Sequence, residues 1–405
     1  MPKLFQINVS LNYLSTGKIS EGISQVASAN GWECYTAYSG RYFKESDFTA
    51  IKVSTRIEEL IHYAKSLLFD MQGLGSCYAT NRLVRKLELI QPDIIHLHVI
   101  HGSFINYKIL FEYACRSQIP IVWTMHDCWA FTGHCVYFDR VKCDRWKTHC
   151  KHCIQKKEYP SCIGLDRSSE NFELKRRLLS DLKKLTMVPV SNWLADFTKQ
   201  SFLRNKSIQV IHNGIDLSVF APTESHVREH FNIGNKFLIL GVANGFGERK
   251  GLDDFIRLSQ MLGDEYKILL VGVHSDEMAK IPNTIIALPR TGNQKELVEL
   301  YSAADVFANP TYEDNFPTTN LEALACGTPI ITYKTGGSPE AIDEKTGIVV
   351  EQGNLKAFAD AIIQMKNHPL LARDCTARAN QCFDKNKCFQ KYIELYNRIL
   401  IQNKR

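Results

Sequence analysis

"ADVFANPTYEDNFPTTNLEALACGTPIITYK", residues 304–334, says more about the fold than any other stretch of the chain. "VFANP" is apolar on consecutive positions instead of alternating, as a strand buried on both faces should be. A polar loop follows, and then "FPTTNLEALACG" carries a helical pattern. Asn315 is its expected cap, Pro317 belongs to its first turn, and Gly327 is its C-terminal stop. "TPIITYK" opens the next apolar run. Strand, loop, helix and strand in one short stretch indicate a parallel crossover unit.

The same alternation extends in both directions. "KLFQINVS", "PDIIHLH", "IPIVWTMH", "KLTMVPVS" and "IQVIHNG" are the expected strands of the first half. "KFLILGVAN", "EYKILLVGV", "NTIIALP", "ADVFANP", "TPIITYK" and "TGIVVE" are those of the second. Helical patterns lie between many of them, which implies parallel sheets with helices on both faces. The fold class is therefore α/β, with two doubly wound Rossmann-like domains and a cleft between them. The expected boundaries are 1–217 and 218–385, with a cysteine-rich loop at 128–162 and an amphipathic helix, 386–405, packing back on the first domain.

A chain of 405 residues suits two cores of about 200 residues each. No segment reaches the roughly 18 uncharged apolar residues of a membrane span, and "MPKLFQINVS" has no secretory pattern. The expected location is cytoplasmic. Residues 140–184 carry 13 Lys and Arg against 6 Asp and Glu. Such a surplus attracts phosphates, and peripheral contact with the inner face of a membrane is one expectation it raises. A solvated helix face is the plainer reading of the same charges.

Ligands of open parallel sheets bind at the carboxyl ends of strands, which selects the loops to read. Gly17 and Lys18 follow the first strand, and His126 ends "IPIVWTM". Arg249 and Lys250 precede a helix whose N-terminal amides also attract anions. Asp314 lies in the loop after "VFANP", and Glu322 lies on the helix that follows. An anion at that helix start, with a carboxylate for ribose hydroxyls beside it, suits a nucleotide. No G-x-G-x-x-G follows a strand, which disfavours a dinucleotide-dependent oxidoreductase.

At these residues the sequence resembles glycosyltransferase family 4, retaining enzymes of the GT-B fold that use nucleotide-activated sugars. "VIHNGIDLSVFAP", "RKGLDDF", "LYSAADVFANPTYEDNFPTTNLEALACGTPIITYKTGG" and "PEAI" carry the resemblance, which runs over nearly the whole chain. It implies that Glu322 binds the nucleotide ribose and that Asp314 contacts the donor sugar near the reacting centre. Asn315, Phe316, Pro317 and Thr318 correspond to the loop whose backbone meets sugar and phosphate. Lys250 matches the lysine that neutralises the diphosphate. Gly245 stands where the family commonly has an arginine, so Arg249 is expected to supply that charge. Gly17 matches a glycine-loop residue near the diphosphate, His126 a histidine near the donor sugar, and Arg290 a contact to the base.

The resemblance further implies retention without a metal. The acceptor attacks on the face the phosphate leaves, and the departing phosphate takes the proton. The expected partners are a UDP- or GDP-sugar and a saccharide or lipid-linked acceptor of cell-surface polysaccharide synthesis, with no nucleic acid. Two alternatives stand beside this reading: a GT-B sugar-nucleotide epimerase, and a zinc-dependent nucleic-acid module suggested by the cysteines.

Those cysteines follow C-x7-C-x6-C-x2-C at Cys135, Cys143, Cys150 and Cys153. Four thiolates suit a structural tetrahedral zinc, and His134, His149 or His152 could replace one of them. Reduced thiols and disulfides remain open readings at this point. No catalytic cofactor is expected.

Overall fold

In the computed structural model, which describes residues 1–403, the chain divides into two compact units. One is Met1–His212 with the chain from Phe389 onward, and the other is Asn213–Cys388. The last two residues of the helix expected over 386–405 lie outside the described residues.

The first unit is built on seven parallel strands: β1 (Lys3–Leu11), β2 (Glu33–Phe43), β3 (Thr49–Lys52), β4 (Ile94–Leu97), β5 (Ile121–Met125), β6 (Leu185–Pro189) and β7 (Ser207–Ile208). Their order is β3-β2-β1-β4-β5-β6-β7. The second unit has six: β8 (Phe237–Val242), β9 (Tyr266–Val271), β10 (Ile285–Leu288), β11 (Val306–Asn309), β12 (Ile330–Tyr333) and β13 (Gly347–Val350). Their order is β10-β9-β8-β11-β12-β13, again all parallel. Strand order reverses at β1/β4 in one sheet and at β8/β11 in the other. Each reversal opens a crevice at the carboxyl ends of the strands.

The central strands β4, β5, β6, β11 and β12 are buried at every position. That two-faced burial is the physical source of the continuous apolar runs. β2 and β3 were not expected. "ECYTAYSGRYF" mixes polar and apolar positions, and β3 at the sheet edge buries only Ile51. "IQVIHNG" contributes only the two residues of β7. Helix starts are capped from the sequence: Thr55 and Glu58 form a capping box, and Asn293 and Asn354 accept from the backbone amides of Glu296 and Ala357.

The final helix, Lys385–Asn403, is tied to the first sheet by buried polar groups. Tyr392 pairs with Thr124 at 2.9 Å, and the Tyr396 hydroxyl meets His96 Nδ1 at 2.6 Å. Burial pushes the His96 pKa down to about 3, so the ring is neutral in this network. No helix among the described residues is long and apolar enough to cross a membrane.

Candidate active site at the switch-point loops

In the second unit the loops after β8 and β11 are adjacent because the strands pair. The Arg249 carbonyl accepts from Tyr312 N at 2.9 Å and from the Thr311 hydroxyl at 3.2 Å. This joins the two loops and brings Lys250 Nζ onto Asp314 Oδ2 as an ion pair. The second Asp314 oxygen accepts from Asn315 N at 2.8 Å, which fixes the carboxylate. Glu313 is buried, so Asp314 is the acid of this loop that meets the lysine.

The loop from 314 to 317 is held from below. A Cβ on Gly336 would stand 1.8 Å from the Asp314 carbonyl oxygen, and its φ of +55° is left-handed. Only glycine fits there. Gly337 N donates to the Asn315 carbonyl, and Asn213 Nδ2 reaches the Phe316 carbonyl. The side chains of Asn315 and Phe316 are buried, so this loop presents backbone.

Pro317 occupies the cap position, and the helix runs Thr318–Ala325. This corrects the expectation that Asn315 caps it. The proline has no N–H to satisfy, and its restricted φ suits a helix entry. Asn320, on the buried side, joins Asn309 Nδ2 at 2.8 Å and Ser338 Oγ at 2.8 Å, which locks the helix to β11. Glu322 lies one turn on, half-buried, and accepts from the Tyr301 hydroxyl at 2.9 Å. Burial, reinforced by Glu322, pushes the Tyr301 pKa well up, so the tyrosine stays a donor.

Arg249 is exposed beside Lys250. Gly245 has a φ of +79°, and a Cβ there would come within 2.5 Å of the His274 ring. The imidazole of His274 thus fills the room an arginine would need. Glu277 holds this turn, accepting from Gly247 N at 2.6 Å and His274 N at 2.8 Å. Arg290 follows β10, the edge strand, which β9 separates from β8.

In the first unit, Gly17 is not in a loop as expected. It lies in the first turn of the helix Leu14–Ala29, where a Cβ would stand 2.8 Å from Ser10 Oγ. Its small size lets the helix close on β1. The left-handed residues of the actual turn are Asn12 and Leu14. His126 directly follows β5, half-buried, with Nε2 3.2 Å from His98 Nδ1. Burial holds the His126 pKa down at about 4, so the ring is neutral. Beside it Asp127 accepts from His101 Nε2 at 2.8 Å, and Tyr159 meets the other nitrogen at 3.2 Å.

The cysteine-rich loop brings Cys135, Cys143, Cys150 and Cys153 near one another. Among the described residues no group of three or more His, Cys, Asp or Glu side chains is placed to hold a metal ion. All thirteen cysteines are free thiols. Cys135 and Cys153 share a hydrogen bond, which, with His134 nearby, draws the Cys153 pKa down. The interior of the loop is aromatic instead: Phe131, Phe138, Trp146 and Phe197 pack together, with Phe138 and Trp146 centroids 4.9 Å apart. This aromatic cluster fills the loop's interior beside the cysteines. Lys175, in the basic stretch, is buried, with Nζ 2.7 Å from the Trp129 carbonyl and over its ring. It contributes nothing to a basic surface.

Two doubly wound units, with a lysine–carboxylate pair and a helix start at the β8/β11 switch point of the second, define a protein of GT-B architecture. The comparisons then give the family. Residues 224–381 match the model of glycosyl transferases group 1, and residues 54–219 match that of glycosyltransferase family 4. The chain belongs to glycosyltransferase family 4. It is 23% identical over 98% of its length to a protein of Escherichia coli K12, all of which is covered, assigned to colanic acid biosynthesis as glycosyl transferase WcaC. It is 30% identical to the N,N'-diacetylbacillosaminyl-diphospho-undecaprenol alpha-1,3-N-acetylgalactosaminyltransferase of Campylobacter jejuni, over 51% of this chain and 58% of that one. Among solved structures, HepE of Anabaena in complex with UDP superposes with a TM-score of 0.67 at 15% identity, covering 98% of this chain and all of that one. Sucrose-phosphate synthase of Thermosynechococcus elongatus gives 0.71 at 16%, covering 99% of this chain and 100% of that one. None of these likenesses supports an epimerase or a nucleic-acid module.

Proposed function

We propose that this enzyme transfers a sugar, with retention and without a metal, from a nucleoside diphosphate sugar to a saccharide or lipid-linked saccharide during cell-surface polysaccharide synthesis. The observation that carries this reading is the Lys250–Asp314 pair held at the β8/β11 switch point beside the start of Thr318–Ala325. Lys250, Arg249 and the helix-start amides offer fixed positive potential to a leaving diphosphate. Glu322, aimed by Tyr301, accepts from ribose hydroxyls. Asp314 lies where positive charge develops on the anomeric carbon, and His126 contacts the donor sugar. The bond from the anomeric carbon to phosphate oxygen breaks as the acceptor oxygen bonds on the same face. The acceptor proton passes to the departing phosphate.

The UDP bound to HepE supports a UDP-sugar donor, and the undecaprenol-linked acceptor in the name of the Campylobacter relative supports a lipid-linked acceptor. For such an acceptor the enzyme works at the cytoplasmic face of a membrane. The contact surface we favour is the outer face of the helix Arg56–Phe69. Ile57, Leu60, Ile61 and Leu68 are exposed there, extended by exposed Ile163 and Leu165, whose amides bond to the Leu67 and Leu68 carbonyls. Arg56 and Lys65 lie on the same helix. Such a mixed face suits an anionic bilayer. Incubation with nucleotide sugars and an undecaprenyl diphosphate saccharide, with NMR of the product, tests the reaction. An inverted anomeric centre would end the retaining assignment, and conversion of donor without acceptor would favour the epimerase.

A further inference from the structure

From the β1/β4 switch point a directional chain of hydrogen bonds runs through buried Gln6 and His98 to half-buried His126. Gln6, on β1, donates from Nε2 to the Ser20 carbonyl at 2.8 Å and to Ser24 Oγ at 2.7 Å. A carbonyl can only accept, so the Gln6 amide has one orientation and its Oε1 is an acceptor. That oxygen faces His98 Nε2 at 2.8 Å. His98 Nε2 must therefore carry the proton. His98 itself cannot shift: its N–H donates to the Ile7 carbonyl at 3.0 Å, and its own carbonyl accepts from Trp123 Nε1 at 2.9 Å.

Burial keeps both imidazoles neutral, with His98 well below the usual histidine range and His126 at about 4. A neutral His98 protonated on Nε2 offers a lone pair at Nδ1. Among the described residues the group that pair meets is His126 Nε2, at 3.2 Å, with the rings nearly parallel. His126 is thereby protonated on Nε2, and its Nδ1 is left as a lone pair with no partner among the described residues. The opposite tautomer would set two lone pairs against each other.

We propose that Gln6 and His98 are positioning residues that fix the tautomer of His126, so that this ring accepts a hydrogen bond from a hydroxyl of the donor sugar at Nδ1. The substrate clause rests on the function proposed above, and the relay itself does not. The ring then discriminates by chemistry as well as by shape. A sugar position bearing O–H is held, while a deoxy, methoxy or carbonyl group at that position leaves the Nδ1 lone pair unmatched.

The test uses the full chain with 15N-labelled histidine and two-bond proton–nitrogen spectra, which distinguish the imidazole tautomers. His126 is assigned from the His126→Gln spectrum. The expected result is protonation of Nε2 alone in the wild type and a mixture of tautomers in Gln6→Met. Protonation at Nδ1 in the wild type, or an unchanged single tautomer in Gln6→Met, overturns the relay. If Gln6→Met fails to fold, the wild-type spectrum still decides.

Kinetics with the native donor and its monodeoxy analogues test the substrate clause. Gln6→Met should lower kcat/KM about 5-fold for the native donor, the value of one hydrogen bond. For the one analogue lacking the contacted hydroxyl it should change by less than about 2-fold. Equal losses on all donors indicate a merely structural role and overturn the clause. A wild type that uses no nucleoside diphosphate sugar overturns the functional reading and the clause with it, while the spectrum still decides the relay.

Discussion

The Tyr301 hydroxyl donates to Glu322 Oε2 at 2.9 Å from a fully buried ring, so the carboxylate expected to meet ribose is aimed from inside the core. Tyr301→Phe keeps the packing and frees the carboxylate. Donor affinity should fall about 5-fold in titration calorimetry, with kcat little changed. Glu322→Ala would also strand the buried hydroxyl, a cost of about 1–3 kcal/mol that should lower Tm. Glu322→Gln retains an acceptor and should unfold close to the wild type.

Lys250 and Asp314 neutralise each other at the switch point, with side chains only 20% and 18% exposed. Lys250→Met should lower kcat by about 10²–10³, the scale of one lost electrostatic contact to a transition state. Asp314→Asn should lower kcat while leaving nucleoside diphosphate binding as tight or tighter, since it removes a negative charge beside the anion. Initial rates and product titrations separate these outcomes.

Gly336 supports the Asp314 loop by close approach, so Gly336→Ala tests whether that loop is built or merely present. With 1.8 Å to the Asp314 carbonyl oxygen, the loop must move. Loss of about 2 kcal/mol or more of stability is expected, along with loss of activity. Thermal unfolding beside rate assays would show both. A variant with wild-type Tm and rate would mean that the loop is not held there.

Lys175 should make stability depend on pH in a defined window. Burial lowers its pKa from 10.5 in the unfolded chain to about 7, with Cys150, Cys135 and Asp70 opposing the shift. Between those values the unfolded state binds the extra proton, so stability rises with pH. The full penalty applies below about 7. The stability of the wild type relative to Lys175→Met should therefore climb from pH 7 towards 10, at up to about 1.4 kcal/mol per pH unit. Urea unfolding at several pH values measures the difference, and a flat difference would refute it.

The exposed face of Arg56–Phe69 gives the membrane proposal its own test. Leu60→Asp with Ile61→Asp should abolish sedimentation with anionic vesicles while leaving transfer to a soluble acceptor analogue unchanged. Unaltered sedimentation would remove this surface from the account.

Much of the architecture is legible in the sequence because strands buried on both faces write themselves as apolar runs. β2 and β3 are not legible: one carries mixed burial and the other has solvent on most of its positions. The site divides along a similar line. Lys250, Asp314 and Glu322 stand out because the carboxyl-end rule points at their loops. The residues that hold them are invisible, since their contacts are remote in sequence: Tyr301 to Glu322, Gly336 to Asp314, and Asn320 to Ser338. Gly17 misleads because a glycine near a strand end reads as a turn, whereas here it relieves a helix packed on β1. The cysteine spacing, for its part, says nothing of the Trp146 and Phe138 rings that fill the loop's interior.

Binding of nucleoside diphosphate sugars by calorimetry, in wild type and Glu322→Gln, tests the central claim most directly. The account predicts saturable one-to-one binding of one nucleotide sugar by the wild type and a clear loss of affinity in the variant. No binding of any nucleotide sugar by the wild type, or equal binding by both proteins, would contradict it.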